Sequence, residues 1–190
     1  MNIPPRPFII YALPRSRTAW LSKFLTYGDW KCAHDLTCRM HSLDEIAAWL
    51  HNGHVGPLTG TAETGLVSAW KAVHLRTNAK RVVIRRSPIG VKESLRKIGV
   101  DWMDAEIDER AMKLDECAAY PGTRIYNYSN LNEEWACKEI FEWCLNLPFD
   151  KQWWLSLKNA NIQVDSQKRI QELKDNAAGI QRLVAEMAAC

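Results

Sequence analysis

The chain alternates short, unbroken apolar runs with longer stretches whose apolar residues recur every three or four positions. Phe8-Ile-Ile-Tyr-Ala-Leu13 is the first run, and its lack of polar alternation predicts a strand covered on both faces. Pro14 ends it by withholding a ladder donor. Trp20, Leu21, Phe24 and Leu25 then fall at helical spacing, predicting a helix from about Arg17 to Tyr27 with Gly28 as its C′ residue. Lys31 to Leu36 reads as a short second strand ending near His34 and Asp35. Ser42-Leu-Asp-Glu45 has the form of a capping box, followed by helical spacing of Ile46, Ala47, Trp49 and Leu50 as far as Asn52-Gly53. Val55 to Leu58 is weakly strand-like, and Gly60-Thr-Ala-Glu-Thr-Gly65 reads as a small-residue turn leading into a helix with Leu66, Val67, Ala69, Trp70 and Val73 on one side.

Arg81 to Arg85 is the second clear strand. Ser87-Pro88 then offers a capping hydroxyl and a proline at the first helical position. Residues 104–119 form a charged amphipathic helix closed by Pro121-Gly122, and Arg124 to Tyr128 is a third strand candidate. A helix over Asn132 to Leu145 stops before Pro148, and a short one follows over Asp150 to Leu157. From about Ser166, Ile170, Leu173, Ala177, Ile180, Leu183 and Met187 mark a long final helix. Strands alternating with helices predict an α/β fold of three layers: an open, mainly parallel sheet with helices on both faces and a helical C-terminus. One domain over residues 1–190 is expected, with an α/β core over 8–150 and C-terminal helices over 151–190. In such sheets ligands bind beyond the carboxyl ends of the strands. Both arginine-rich turns, at 14–18 and 85–87, fall at that edge.

Composition narrows the partners. With 47% hydrophobic and 25% charged residues, the chain has ordinary globular proportions, and its net charge of +3 is too small for general binding to a nucleic-acid polymer or a membrane. Any positive site must be local. The six cysteines (32, 38, 117, 137, 144 and 190) form no Cys-x-x-Cys pair, so they read as reduced thiols. No apolar run approaches membrane-spanning length and the first residues lack the pattern of a signal peptide, which leads to an expected cytoplasmic location.

The first arginine-rich turn carries the chemistry. Arg15, Ser16, Arg17 and Thr18 place two cations and two hydroxyls where the next helix would expose unpaired backbone N–H groups, a combination suited to a phosphate. A nucleotide-hydrolysing loop would have Gly-x-x-x-x-Gly-Lys-[Ser/Thr] here, but its first position is Tyr11 and its lysine position is Arg17. A magnesium-dependent kinase would also want an acidic residue at another strand end. The strand at 81–85 ends instead in Arg85-Arg86, which favours direct contact with a second phosphate.

Leu13-Pro-Arg-Ser-Arg-Thr-Ala-Trp-Leu21 resembles the 5′-phosphosulfate loop of the sulfotransferases, usually Pro-[Lys/Arg]-Ser-Gly-Thr-[Thr/Ser]-Trp-Leu. Those enzymes use 3′-phosphoadenosine 5′-phosphosulfate (PAPS) on a fold like that of the P-loop NTPases and release 3′-phosphoadenosine 5′-phosphate (PAP). The resemblance implies that Arg15 contacts the 5′-phosphate and the sulfuryl bridge. It implies that Ser16, Arg17, Thr18 and Ala19 offer backbone N–H groups, with a hydroxyl from Thr18. Arg17 departs from the family's glycine. Arg81-Val-Val-Ile-Arg-Arg-Ser-Pro-Ile-Gly-Val-Lys-Glu-Ser94 is similar to the family's 3′-phosphate motif, an arginine at a strand end and a serine eight residues on. Arg86 and Ser94 match it, with Arg85 as a strand-end charge. A looser likeness covers Arg124-Ile-Tyr-Asn-Tyr-Ser-Asn-Leu131 and Ile140-Phe-Glu-Trp-Cys-Leu-Asn-Leu-Pro148. The family's C-terminal Arg-Lys-Gly loop has no match; Lys168 and Arg169 form the only cationic pair nearby, and a solvated helix face accounts for them.

Sulfuryl transfer needs a base for the acceptor's proton and cations for the charge that builds on the leaving oxygen. Glu63, 23 residues before Arg86, stands about where the family places its base, although a carboxylate there would equally serve a helix dipole. His34 is the second candidate, with Asp35 beside it, though neighbouring strand residues point to opposite faces. The catalytic candidates are thus Glu63, His34 and Arg15. His34 and His41 with Cys32 or Cys38 match no common zinc spacing, so no metal is expected. The implied acceptor is a hydroxyl or amine on a small molecule or glycan, with residues 29–62 and 100–120 as contributors to its site. Trp102 and Trp153-Trp154 fit either core or a binding surface. Two rival functions share these features: another nucleotide-binding enzyme of kinase-like type, or a non-catalytic binding or assembly domain derived from that fold.

Overall fold

The computed structural model describes residues 6–36, 58–77 and 79–160, with a few single positions outside those stretches. Five strands build the sheet: β1 (Phe8–Ala12), β2 (Lys31–His34), β3 (Leu58–Glu63), β4 (Lys80–Arg85) and β5 (Thr123–Asn127). Their order is β2-β3-β1-β4-β5 and every pairing is parallel. β1 lies at the centre with all of its residues buried, as its unbroken apolar run requires.

Because strand side chains alternate between faces, β1 feeds two cores. Phe8, Ile10 and Ala12 pack with Trp20 and Phe24 of α1 (Thr18–Phe24), Phe141 of α5 (Glu134–Leu145) and Trp154 of α6 (Lys151–Lys158). Ile9 and Tyr11 pack with Trp70 of α2 (Trp70–Arg76), Val91 of α3 (Pro88–Arg96) and Ile107 and Leu114 of α4 (Asp104–Ala119). The sheet is therefore the middle of three layers. On the first face, the Trp20 indole N–H donates to the Leu157 carbonyl at 2.8 Å and that of Trp153 to the Phe24 carbonyl at 2.9 Å, tying α6 to α1. These tryptophans are core, whereas Trp102 is half-exposed.

β3 departs from expectation. Residues 60–63 form a buried strand, not a turn, although they carry none of the aliphatic bulk that marks β1 and β4. The neighbour explains the choice of residues. Gly60 lies opposite Phe8 in the ladder, and a Cβ there would overlap the Phe8 ring. Thr61 and Ala62 are likewise fully buried between β1 and β2. The helix after it begins only at Trp70, and α1 ends at Phe24, three residues before the expected end. Ser87 does stand at the N-cap of α3 ahead of Pro88, but its hydroxyl makes no capping bond. Ser42 accepts from the Glu45 N–H at 3.1 Å, one half of the expected capping box. The helix expected from Ser166, along with Cys38, His41, Cys190, Lys168 and Arg169, lies outside the described residues.

Among the described residues no helix is long and apolar enough to cross a membrane. Cys32, Cys117, Cys137 and Cys144 are buried free thiols. Burial pushes Cys117 and Cys144 up to about 12 and Cys137 to about 11. In the unfolded chain these thiols titrate near 9, so their contribution to stability is fully present below that pH and is lost as the pH rises toward about 12. The urea midpoint should accordingly fall between neutral pH and pH 11, where Cys137 titrates in the folded state. Peptide-resolved alkylation at mildly alkaline pH should leave these three thiols unmodified in the folded protein and modify them in urea; labelling of the folded protein at Cys117 or Cys144 would contradict the burial.

Candidate active site

The site forms where β1, β3 and β4 end. Between β1 and α1, Arg15 and Arg17 both adopt left-handed backbone conformations, with φ of 64° and 62°. Such angles are unfavourable for a residue with a Cβ, which is why a glycine would sit more easily at position 17. The loop keeps its winding without it. Left-handed residues alternating with right-handed ones build backbone concavities for anions, and the two here flank Ser16. Ser16 is fully buried, and its hydroxyl has no hydrogen-bond partner among the described residues. A buried hydroxyl left unpaired costs about 1–3 kcal/mol, so a polar group entering this loop would gain that bond.

The second arginine-rich turn closes on the first. The Arg15 Nε–H donates to the Ser94 hydroxyl at 3.2 Å, joining the loop to α3 across 79 residues of sequence. Arg86 donates to the Arg15 carbonyl, reaches the Gly90 carbonyl at 3.4 Å, and lies 4.4 Å from the Tyr128 ring centre. Three of the expected phosphate ligands, Arg15, Arg86 and Ser94, therefore converge. Arg85 instead forms an exposed ion pair with Asp115 at 3.0 Å, as suits a strand-end charge. Beside Arg86 lies a cavity of about 230 Å³ with an apolar wall of Leu13, Pro88, Ala111 and Leu114.

Arg17 does not join that cluster through its side chain. Its guanidinium donates to the Asn132 Oδ1 at 2.9 Å, to the Lys158 carbonyl at 3.2 Å and to the Leu131 carbonyl at 3.3 Å, and stacks 4.2 Å from the Trp20 ring centre. Burial holds it below the usual arginine range. Arg17 thus fastens the loop to the turn after β5 and to the end of α6. The main chain at 17, in its left-handed conformation, is directed separately from that side chain.

On the other side of the loop, His34 Nε2 lies 3.1 Å from the Thr18 hydroxyl and 3.4 Å from Asp35 Oδ2. Neighbouring strand residues would point apart, but Asp35 lies beyond β2 at φ 46°, and this reversal brings its carboxylate back to the imidazole. Asp35 Oδ1 in turn accepts from the Thr64 N–H at 2.7 Å and from its hydroxyl at 3.0 Å. Glu63 is fully buried one residue away, and its Oε1 accepts from the Thr61 hydroxyl and the Leu36 N–H, each at 2.5 Å. So His34 faces the loop directly, while Glu63 braces the chain at the ends of β2 and β3. The sequence did not point to Thr64 or Tyr128 as members of the site. Thr64 needed the β2–β3 pairing to be known, and Tyr128 sits where a predicted strand is in fact a 3₁₀ turn, Tyr128–Asn132.

No family model matches the chain, and no curated protein matches it. Among solved structures, a sulfotransferase domain from the curacin biosynthetic pathway superposes with a TM-score of 0.55 over 87% of this chain and 80% of that one, at 13% identity. The fold is sulfotransferase-like. At this identity the likeness concerns the fold alone; in this chain the loop after β1 and the turn after β4 lie at the carboxyl edge of the parallel sheet, where open α/β sheets generally bind ligands.

Proposed function

We propose that the protein transfers a sulfuryl group from PAPS to a hydroxyl or amine acceptor. The observation that carries this is the cluster of Arg15, Arg86 and Ser94 around a loop whose buried Ser16 hydroxyl lacks a protein partner. Two cations and two hydroxyls, drawn from separate strand ends, suit a ligand with phosphates at two places more than a linear triphosphate with its metal. When bound, PAPS supplies an activated sulfuryl group on a phosphate leaving group.

Each residue then has a task. Ser16, Thr18 and the main chain of the loop would hold the 5′-phosphosulfate, and Arg15, steadied by Ser94, would offset charge on the leaving oxygen. Arg86, anchored on the Arg15 carbonyl, would hold the 3′-phosphate with Ser94, and the apolar-walled cavity beside it accommodates part of the nucleoside. His34 would take the acceptor's proton, with the Asp35 carboxylate, which faces Nε2 at 3.4 Å, stabilising the imidazolium that results. Glu63, whose carboxylate already receives two donors, is assigned to positioning rather than to proton transfer. The acceptor would enter from the β2–β3 end, next to His34 and Thr18.

A donor-product assay tests the proposal. The protein is incubated with PAPS and a panel of small hydroxyl, amine and glycan acceptors, and PAP is quantified. PAP formation that depends on acceptor is expected. Magnesium-dependent ATP turnover with no PAP formation would instead identify a kinase-like enzyme.

A further inference from the structure

The buried stripe of α4 runs Ile107, Leu114 and Cys117, with Arg110 in the middle of it. Arg110 is only 1% exposed, and a charged guanidinium on an apolar stripe is costly unless it is paired. Its Nη2 pairs with Glu106 one turn earlier, which partly offsets that cost, and its Nη1 crosses to the Thr64 carbonyl at 3.2 Å. Thr64 uses its N–H and its hydroxyl on Asp35 Oδ1, and Asp35 Oδ2 faces His34 Nε2. His34 Nε2 reaches Thr18, the first residue of α1. A chain of polar contacts therefore runs from the core beneath α4, past the ends of β3 and β2, to the loop that gathers Arg15 and Ser94.

A leucine at position 110 would complete the stripe without the arginine's desolvation cost, but it would withdraw the donor from the buried Thr64 carbonyl. What Arg110 adds is a fixed donor on the carbonyl of a residue that grips Asp35 with two bonds. Asp35 itself sits in a left-handed conformation, which needs surrounding contacts to hold it. We propose that Arg110 is a positioning residue that acts through Thr64 to lock the Asp35 carboxylate, and with it the tautomer and orientation of the His34 ring. This rests on the assignment of His34 as the base. It predicts a loss in kcat with no loss in donor-product affinity, because none of the phosphate-binding residues belongs to the chain of contacts except Thr18 at its far end.

The test uses Thr64→Val, which removes the hydroxyl but keeps the shape, together with Arg110→Met and Arg110→Lys. Long-range proton–nitrogen NMR reads the His34 ring nitrogens, calorimetry reads the Kd for PAP, and PAP formation reads kcat. Partners that orient a metal-bound histidine are typically worth about 10–100-fold, and a base held in the same way is expected to respond on that scale. In Thr64→Val and Arg110→Met, a kcat loss of that size is expected, with PAP affinity unchanged within about two-fold and the His34 nitrogen shifts moved toward an average of tautomers. Arg110→Lys should recover part of the kcat. If Arg110→Met does not fold, Arg110→Lys read together with Thr64→Val decides. Folded variants that keep the wild-type His34 shifts and kcat, whatever their stability, would overturn the positioning role while leaving the proposed activity intact. Wild-type turnover in His34→Gln would remove His34 as the base and with it the positioning role, whereas absence of PAP formation by the wild-type protein would overturn the proposed activity itself.

Discussion

Replacing His34 with glutamine should lower turnover by about 10²–10⁴-fold while leaving affinity for PAP within about two-fold of wild type. The range is what a positioned general base contributes, and the separation of kcat from binding follows from geometry. His34 meets the loop at the Thr18 hydroxyl, at 3.1 Å, while the cations that would hold phosphate lie at the ends of β1 and β4. Glutamine preserves a polar group of similar reach opposite Thr18 and Asp35, so the loop should keep its shape. The corresponding change at Glu63 should behave differently. Glu63→Gln weakens the grip on the Leu36 N–H and the Thr61 hydroxyl, and its main expected effect is on stability. A variant pair in which Glu63→Gln abolishes turnover in a stable protein while His34→Gln is active would reverse the two roles.

The second large effect concerns Arg17. Arg17→Ala should destabilise the protein by about 2–4 kcal/mol, from three lost hydrogen bonds and the stacking on Trp20, and Arg17→Gly by about 1 kcal/mol less. The ordering is the diagnostic part. Both variants lose the same contacts to Leu131, Asn132 and Lys158, but glycine alone relieves the left-handed backbone at φ 62°. Urea unfolding of the two proteins measures the difference. Affinity for PAP should change little in Arg17→Gly, because the side chain is turned to the turn after β5 and to the end of α6. A large loss of affinity with stability preserved would return Arg17 to the list of phosphate ligands.

The contrast between these residues shows what the amino-acid sequence could carry. β1 and β4 announce themselves as unbroken apolar runs, and the arginines and hydroxyls that follow them state their chemistry by type alone. Their meeting, Arg15 on Ser94 and Arg86 on the Arg15 carbonyl, follows from the parallel order that places β4 beside β1. β3 was hidden because its residues answer to a neighbour: Gly60 is small on account of Phe8, a contact that no local pattern encodes. The Asp35–His34 contact was hidden for a different reason. Alternation along a strand predicts opposite faces, and one residue with positive φ just past the strand end defeats it. Arg17 was legible as a cation but not in its direction, which depends on where α6 ends. Arg110 did leave a signal, a charge at the helical spacing of a buried stripe, and only the structure gives it a partner across the layer.

The central claim is that the two arginine-rich turns form one clamp for two phosphates. Calorimetric titration of PAP into the wild-type protein, Arg86→Ala and Arg86→Lys tests it most directly. Saturable binding by wild type is predicted, weakened by roughly 10–100-fold in Arg86→Ala, as loss of charge-assisted bonds to a phosphate implies, and partly restored in Arg86→Lys. No detectable binding by wild type, or binding that Arg86→Ala leaves unchanged, would contradict it.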